Sequence, residues 1–205
     1  MTPKVAQCRR IGVFGGAFDP PHLAHQALLK SAMAELGLDE LRVIPTGQAW
    51  HKARTLTEPE HRLAMAQLAF SKLPGVVVDA QEIKRNGPSY TIDTLRGLAQ
   101  SEPHAELFLI IGADQAAALT TWRAWQEILQ IAIICVADRA DSTSTSTLFD
   151  AEKLFPERFF HLKMPVSSIS ATQIRATISA QQPVGALVLD AVARYIADHH
   201  LYQSI

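Results

Sequence analysis

The stretch Ile11-Gly12-Val13-Phe14-Gly15-Gly16-Ala17-Phe18-Asp19-Pro20-Pro21-His22-Leu23-Ala24-His25 constrains this chain more than any other. An apolar run passes through a glycine turn straight into a helical pattern. Residues 9–14 read as a buried strand, and Gly15-Gly16 permit a backbone path that a Cβ would strain, so the turn can approach a ligand closely. Asp19 is placed to cap the following helix, Pro20 and Pro21 suit its start but not its interior, and His22 opens it. His22 and His25 then sit one turn apart at a helix N-terminus and face the same way. Unpaired N–H groups and the helix dipole make that end attractive to an anion, phosphate above all.

Downstream, apolar runs at 41–45, 76–79, 107–111 and 131–136 alternate with helical patterns over 22–37, 60–72, 91–100 and 122–129. With the first strand they predict a parallel sheet covered by helices on both faces, an α/β fold. The first helix repeats Leu23, Ala27, Leu28, Ala32 and Leu36 at helical spacing and stops at Gly37, and Ser89 or Thr91 is expected to cap the helix over 91–100. Residues 159–162 add a candidate edge strand, and helices begin near Ile169 and Asp190. The polar segment 46–59, with His51, Lys52 and Arg54, and the Ser/Thr-rich segment 141–147 read as exposed loops. With 205 residues, 48% of them hydrophobic, and no repeat or linker, the chain is expected to form one domain over 1–205, with 169–205 as a small helical subdomain.

Charge narrows the ligand. A formal net charge of -1 offers no broad attraction for nucleic acid or an anionic membrane, so phosphate must be met by a local cluster, which favours a small nucleotide. No apolar run reaches the ~18 residues of a membrane helix, and the N-terminus lacks a secretory apolar core. Cys8 and Cys135 sit in or beside apolar runs and are expected to be reduced core residues of a cytoplasmic protein.

Ligands of open parallel sheets collect at the carboxyl ends of the strands, where the winding reverses. Gly15-Gly16, Asp19, His22 and His25 follow the first strand, His51-Lys52 the second, and Gly112-Ala113-Asp114 the fourth, so all are expected at one crevice. Asp114 can accept a ribose hydroxyl pair, Lys52 offers a mobile point charge and Arg175 a fork matched to phosphate. Ser170 and Thr172, at a helix start, are placed to grip further phosphate oxygens.

Two segments together carry a resemblance. Gly15-Gly16-Ala17-Phe18-Asp19-Pro20-Pro21-His22-Leu23-Ala24-His25 and Ile169-Ser170-Ala171-Thr172-Gln173-Ile174-Arg175 resemble the (H/T)xGH and ISxTxxR signatures of the nucleotidylyltransferase superfamily. Within it, Lys84-Arg85-Asn86-Gly87-Pro88-Ser89-Tyr90-Thr91, Ile110-Ile111-Gly112-Ala113-Asp114 and Thr121-Trp122 are similar to the bacterial nicotinate mononucleotide adenylyltransferases, over roughly residues 11 to 180. The resemblance implies a Rossmann-like doubly wound parallel sheet of five or six strands with a small C-terminal helical part. It also implies transfer of AMP from ATP to nicotinate mononucleotide, giving deamido-NAD and pyrophosphate, with Mg²⁺ bound through the substrate phosphates and no metal held by the protein itself. On that basis His22, His25, Lys52 and Arg175 are the expected catalytic set. ATP would meet Gly15, Gly16, Phe18, Asp19, His22, His25, Gly112, Asp114, Ile169, Ser170, Thr172 and Arg175. The mononucleotide would meet Gly16, Ala17, Lys52, Tyr90, Thr91 and Trp122, the indole stacking on the pyridine ring. Nucleic acid and membrane are not expected partners; a monomer or small homo-oligomer is. Three departures stand out: Ala24 replaces the motif glycine, Ala49-Trp50-His51-Lys52 replaces a Pro-Pro-His-cation loop, and Arg123 follows Trp122 where an aromatic is frequent.

Each residue also has a plainer reading. A histidine pair can be a surface accident, two histidines without a third ligand fall short of a zinc site, and Asp114 can merely cap a helix. Trp122 and Trp125 can be core, Lys52 a solvated charge, Ser170 and Thr172 caps, and Arg175 a carboxylate partner. Rival functions are another adenylyl or cytidylyl transferase, such as one acting on phosphopantetheine, and a nucleotide-binding regulator without turnover. The Ser89-Tyr90-Thr91 and Thr121-Trp122 features weigh against the first, and the intact His22, His25, Lys52 and Arg175 against the second.

Overall fold

A computed structural model describes residues 8–48, 56–137, 149–163 and 167–203. Its strands are β1 (Arg9–Gly16), β2 (Glu40–Pro45), β3 (Val76–Val78), β4 (Ala105–Gly112), β5 (Ala132–Ala137) and β6 (Phe159–Leu162). They form one sheet in the order β3-β2-β1-β4-β5-β6, and every neighbouring pair is parallel. The helices are α1 (Leu23–Leu36), α2 (Pro59–Phe70), α3 (Gln81–Lys84), α4 (Thr91–Ser101), α5 (Ala113–Ala117), α6 (Trp125–Ile131), α7 (Asp150–Leu154), α8 (Ala171–Ser179) and α9 (Asp190–Asp198). The parallel sheet read from the alternation and the doubly wound α/β fold implied by the resemblance are the ones observed, and the winding reverses between β1 and β4.

Side-chain alternation divides the core between the two faces of the sheet. Along β4, Phe108 and Ile110 join the layer formed by α1, α2, α8 and α9, while Leu107, Leu109 and Ile111 join the layer of α4, α5 and α6. The last two helices bury Ile174, Val192 and Ile196 in the first of these layers. The α1 terminus falls where the glycine signal puts it, Gly37 taking the left-handed conformation with φ 55°.

Local details depart from expectation. His22, not Asp19, is the N-cap of α1, and the His22 N–H donates to Nδ1 of His25 at 3.2 Å. The carboxylate of Asp19 is engaged elsewhere, as described below. Tyr90 rather than Ser89 or Thr91 is the N-cap of α4, with no side-chain capping bond. The helix expected over 122–129 begins only at Trp125, because Ala124 takes a left-handed conformation with φ 52° at its N-cap. Gly15 and Gly16 are the last residues of β1 and neither has a positive φ, so the turn needs no left-handed glycine.

Cys8 is exposed, contrary to the expectation of two core thiols, and its Sγ–H donates to the His104 carbonyl at 2.7 Å. Cys135 is fully buried in β5, and burial pushes its thiol up to about 12. A thiolate-selective reagent is therefore expected to label Cys8 in the native protein and to spare Cys135 until denaturant is added; mass spectrometry of digests distinguishes the two, and equal native labelling would contradict the assignment.

Candidate active site

The crevice at the switch point is a cleft of about 990 Å³. Among the described residues its rim includes Gly15, Gly16 and Ala17 from the end of β1, His22 and His25 of α1, Glu82 of α3, Ser89 to Thr91 before and into α4, Gly112 to Asp114 after β4, and Trp122 and Arg123. Ser167 and Ile169, which precede α8, close it from the far end of the chain. Segments from the start, middle and end of the chain thus meet where the topology predicts.

Backbone geometry makes the histidine pair. With His22 at the N-cap, His25 is three residues on, and the rings stack with centroids 3.7 Å apart and planes 20° apart. Because Nδ1 of His25 accepts the His22 N–H, a neutral His25 carries its proton on Nε2, which makes that nitrogen a donor. Phe14, Phe18 and Phe70 surround the His25 ring at centroid distances of 5.9, 5.3 and 6.4 Å and restrict its rotamer. Phe18 is 2% exposed and forms this wall behind the histidines rather than the cleft surface.

Asp19 is also buried, at 2% exposure, and braces the turn from behind. Its carbonyl accepts from Nη1 of Arg175 at 2.8 Å, Oδ1 from the Tyr202 hydroxyl at 2.6 Å, and Oδ2 from the Thr57 N–H at 3.3 Å. Burial, reinforced by the adjacent Asp19 charge, raises the Tyr202 phenol well above its ordinary value, so it remains a donor. Arg175 thereby ties α8 to the same turn that carries His22. Its Nη2 donates to Thr172 Oγ1 at 3.2 Å, and Ser170 caps α8 by accepting the Gln173 N–H at 3.2 Å. Asp19, Ser170, Thr172 and Arg175 lie around the turn and the start of α8, which begins two residues after the cleft-lining Ile169. Lys52 and its neighbours His51 and Trp50 fall outside the described residues.

The opposite wall is built at α3 and α4. Glu82 accepts from Thr94 Oγ1 at 2.7 Å, and its carboxyl lies above the usual range because burial outweighs the Thr94 bond and the nearby Arg85 charge. The Arg123 guanidinium sits 4.7 Å from the Tyr90 ring centroid, a cation–π contact on the cleft surface. Past β4, Asp114 folds back so that a Cβ on Gly112 would stand 2.8 Å from its Oδ1.

Arg62, Glu82 and Tyr202 were not singled out by sequence. Arg62 had a visible signal: it falls in phase with Met65, Ala66 and Ala69, the buried face of α2, where a charge needs a reason. Glu82 lies in a helix of four residues, too short for periodicity, and Tyr202 in the turn after α9 has no pattern that foretells its bond to Asp19.

Comparisons with known proteins agree with this geometry. The model of the cytidylyltransferase-like family matches residues 13–177. A probable nicotinate-nucleotide adenylyltransferase of Albidiferax ferrireducens is 62% identical, over 96% of this chain and 99% of its own. Another from Methylibium petroleiphilum is 45% identical, over 95% and 92%. The solved Plasmodium falciparum nicotinic acid mononucleotide adenylyltransferase complexed with NaAD superposes with a TM-score of 0.73, covering 95% of this chain and 97% of that one at 17% identity, a likeness of fold. With a family model spanning most of the chain and near full-length relatives at such identity, the chain belongs to the nicotinate-nucleotide adenylyltransferases of the cytidylyltransferase-like family.

Proposed function

We propose that this chain transfers the adenylyl group of ATP to nicotinate mononucleotide, forming deamido-NAD and pyrophosphate. The observation that carries the reading is the stacked His22–His25 pair at the mouth of α1, in one cleft with Asp114 on one side and Tyr90, Thr91 and Trp122 on the other. A 5′-phosphate oxygen of the mononucleotide attacks the α-phosphorus of ATP in line, and the bond from that phosphorus to the bridging oxygen breaks as pyrophosphate leaves. No covalent protein intermediate is needed, so the protein's work is alignment and stabilisation of charge.

In this reading His22 and His25 donate to the oxygens of the reacting phosphorus, with the proton on Nε2 of His25 fixed by its Nδ1 bond. Gly15, Gly16 and Ala17 let the phosphates lie against the backbone, and Asp114 takes the ribose hydroxyls with Gly112 beneath it. Lys52 and Arg175, with Ser170, Thr172 and Ile169 at the start of α8, belong to the side on which pyrophosphate departs. Phe18 and Asp19 serve from behind, holding the histidines and the turn. Trp122 stacks on the pyridine ring, with Tyr90 and Thr91 at its carboxylate.

The carboxylates lining the cleft among the described residues are Glu82, already bonded to Thr94, and Asp114, and no group of three acidic, histidine or cysteine side chains is arranged to cage a metal. That donor set suits Mg²⁺ carried by the ATP phosphates, where its charge offsets theirs. Among the described residues no helix is long and apolar enough to cross a membrane. A cytoplasmic setting, as a monomer or small homo-oligomer without nucleic acid, completes the reading.

Pyrophosphate release from ATP and nicotinate mononucleotide tests donor and acceptor together; a protein that releases none with this pair, or releases it only with phosphopantetheine, overturns the proposal. Gly15 provides a local check. A Cβ built there meets nothing within 4 Å, yet the residue lines the cleft. Gly15→Ala is expected to leave the melting temperature within about 2 °C while raising the KM for ATP by roughly tenfold, the scale of one misplaced methyl against a ligand. An unchanged KM would mean that nucleotide does not pass over this turn.

A further inference from the structure

Behind the cleft, one guanidinium joins the turn after β1 to the exit of β2. Arg62 of α2 is 1% exposed. Its Nη1 donates to the carbonyls of Thr46 at 2.6 Å and Ala17 at 3.1 Å, its Nη2 to Gly47 at 3.2 Å, and its Nε to Thr57 at 2.8 Å. Ala17 belongs to the turn that leads to His22, Thr46 and Gly47 leave the end of β2, and Thr57 precedes α2. A single planar fork therefore spans the β1 turn and both described flanks of the connection from β2 to α2.

A buried guanidinium is stable only where hydrogen bonds replace its water, so the carbonyls and the cation hold one another in place. The surroundings leave little slack. Thr57 is held twice, by Arg62 at its carbonyl and by Asp19 Oδ2 at its N–H. The Thr46 N–H donates to the Gly16 carbonyl at 2.8 Å, and a Cβ on Gly47 would collide with the Glu82 carbonyl. Ala17 and Thr46 line the cleft, while Arg62 does not. Its effect on a ligand must pass through these two segments.

We propose that Arg62 is a positioning residue for adenylyl transfer: it sets the separation of the β1 turn and the β2 exit, and so aligns the attacking phosphate with the α-phosphorus. The inference rests on the transfer reading above. Lysine keeps the charge but, as a point donor on a flexible stem, cannot reproduce a fork across four carbonyls.

The experiment assays wild type and Arg62→Lys side by side for pyrophosphate release, alongside circular dichroism and thermal melting. Folded Arg62→Lys is expected to lose roughly 10- to 100-fold in kcat, the scale of a misalignment of about 1 Å, with each KM changed by less than about threefold. A purely structural role would instead lower the fraction folded and leave kcat per folded molecule intact. A folded variant with kcat within about twofold of wild type overturns the inference. Should the variant fail to fold, the wild-type enzyme decides. The Arg62 Nε–H resonance is expected to shift when nicotinate mononucleotide and an ATP analogue with an α,β-methylene bridge fill the cleft, and an unmoved resonance overturns the inference. Wild type that releases no pyrophosphate removes the transfer reading and this inference with it, whereas active wild type beside fully active Arg62→Lys removes the inference alone.

Discussion

His22→Ala is expected to lower kcat by at least ~10²-fold, with the folded protein retained. The magnitude is that of removing one preorganised donor from a phosphorus where charge develops, the role proposed for His22 above. Stability cannot produce the same effect. The bond from the His22 N–H to His25 Nδ1 is made by backbone and survives the substitution, so what is lost is the packing of one ring, about 1–3 kcal/mol against a total of about 5–15 kcal/mol, which leaves nearly every molecule folded. The measurement is steady-state pyrophosphate release normalised to folded protein. Turnover within about threefold of wild type would remove His22 from the reaction and leave its stack on His25 as packing alone.

Why this pair was readable, and its supports were not, comes down to the range of the interactions. A strand, a turn and a helix start are local events. The run from Ile11 to His25 states each of them, down to the three-residue offset that stacks the two rings. The sheet class was legible for a similar reason, since apolar runs without alternation separated by helices point to a parallel sheet covered on both faces, whereas the order of its strands is set by packing and was not read. Caps were misread because several polar residues compete within two positions. Asp19, the obvious capping type, is drawn away by Tyr202 from the other end of the chain and by Thr57. Such bonds, like those of Arg62 to Ala17 and Thr46, join residues far apart in sequence and exist only once the layers have packed. Cys8 was misplaced because Arg9 and Arg10, at the entry to β1, separate it from the buried run that begins at Ile11. The glycine turn was read as a place where a Cβ would strain, and that holds for only half of it: a Cβ on Gly16 would stand 3.0 Å from the Phe18 ring, while Gly15 faces open space, and the hardest clash falls on Gly47, which no motif marked.

The acceptor side carries the second large expectation: kcat/KM for nicotinate mononucleotide exceeds that for nicotinamide mononucleotide by ~10²-fold or more. The two acceptors differ only in a carboxylate against an amide, so the discrimination must come from what the end of the cleft presents to that group. Tyr90 is the N-cap of α4, and the first N–H groups of a helix lack intrahelical partners, so the end of the helix that begins at Thr91 presents donors and positive potential. The Arg123 guanidinium lies 4.7 Å over the Tyr90 ring and adds a full positive charge on the same wall. A carboxylate satisfies such a set, each charge-assisted bond contributing about 1.5–3 kcal/mol, while an amide brings an NH₂ that faces donors and leaves them unpaired. One such mismatch gives about tenfold and two give about a hundredfold, which sets the expected floor. Parallel kinetics on the two mononucleotides read the ratio directly, and equal efficiency would show that the wall at Tyr90 and Thr91 does not meet the carboxylate. Arg123→Gln then divides the cause. If the guanidinium contributes, the ratio narrows by roughly tenfold through a higher KM for the acid. If the ratio holds, the discrimination resides in the N–H groups of α4, and Arg123 acts only as the cover over Tyr90.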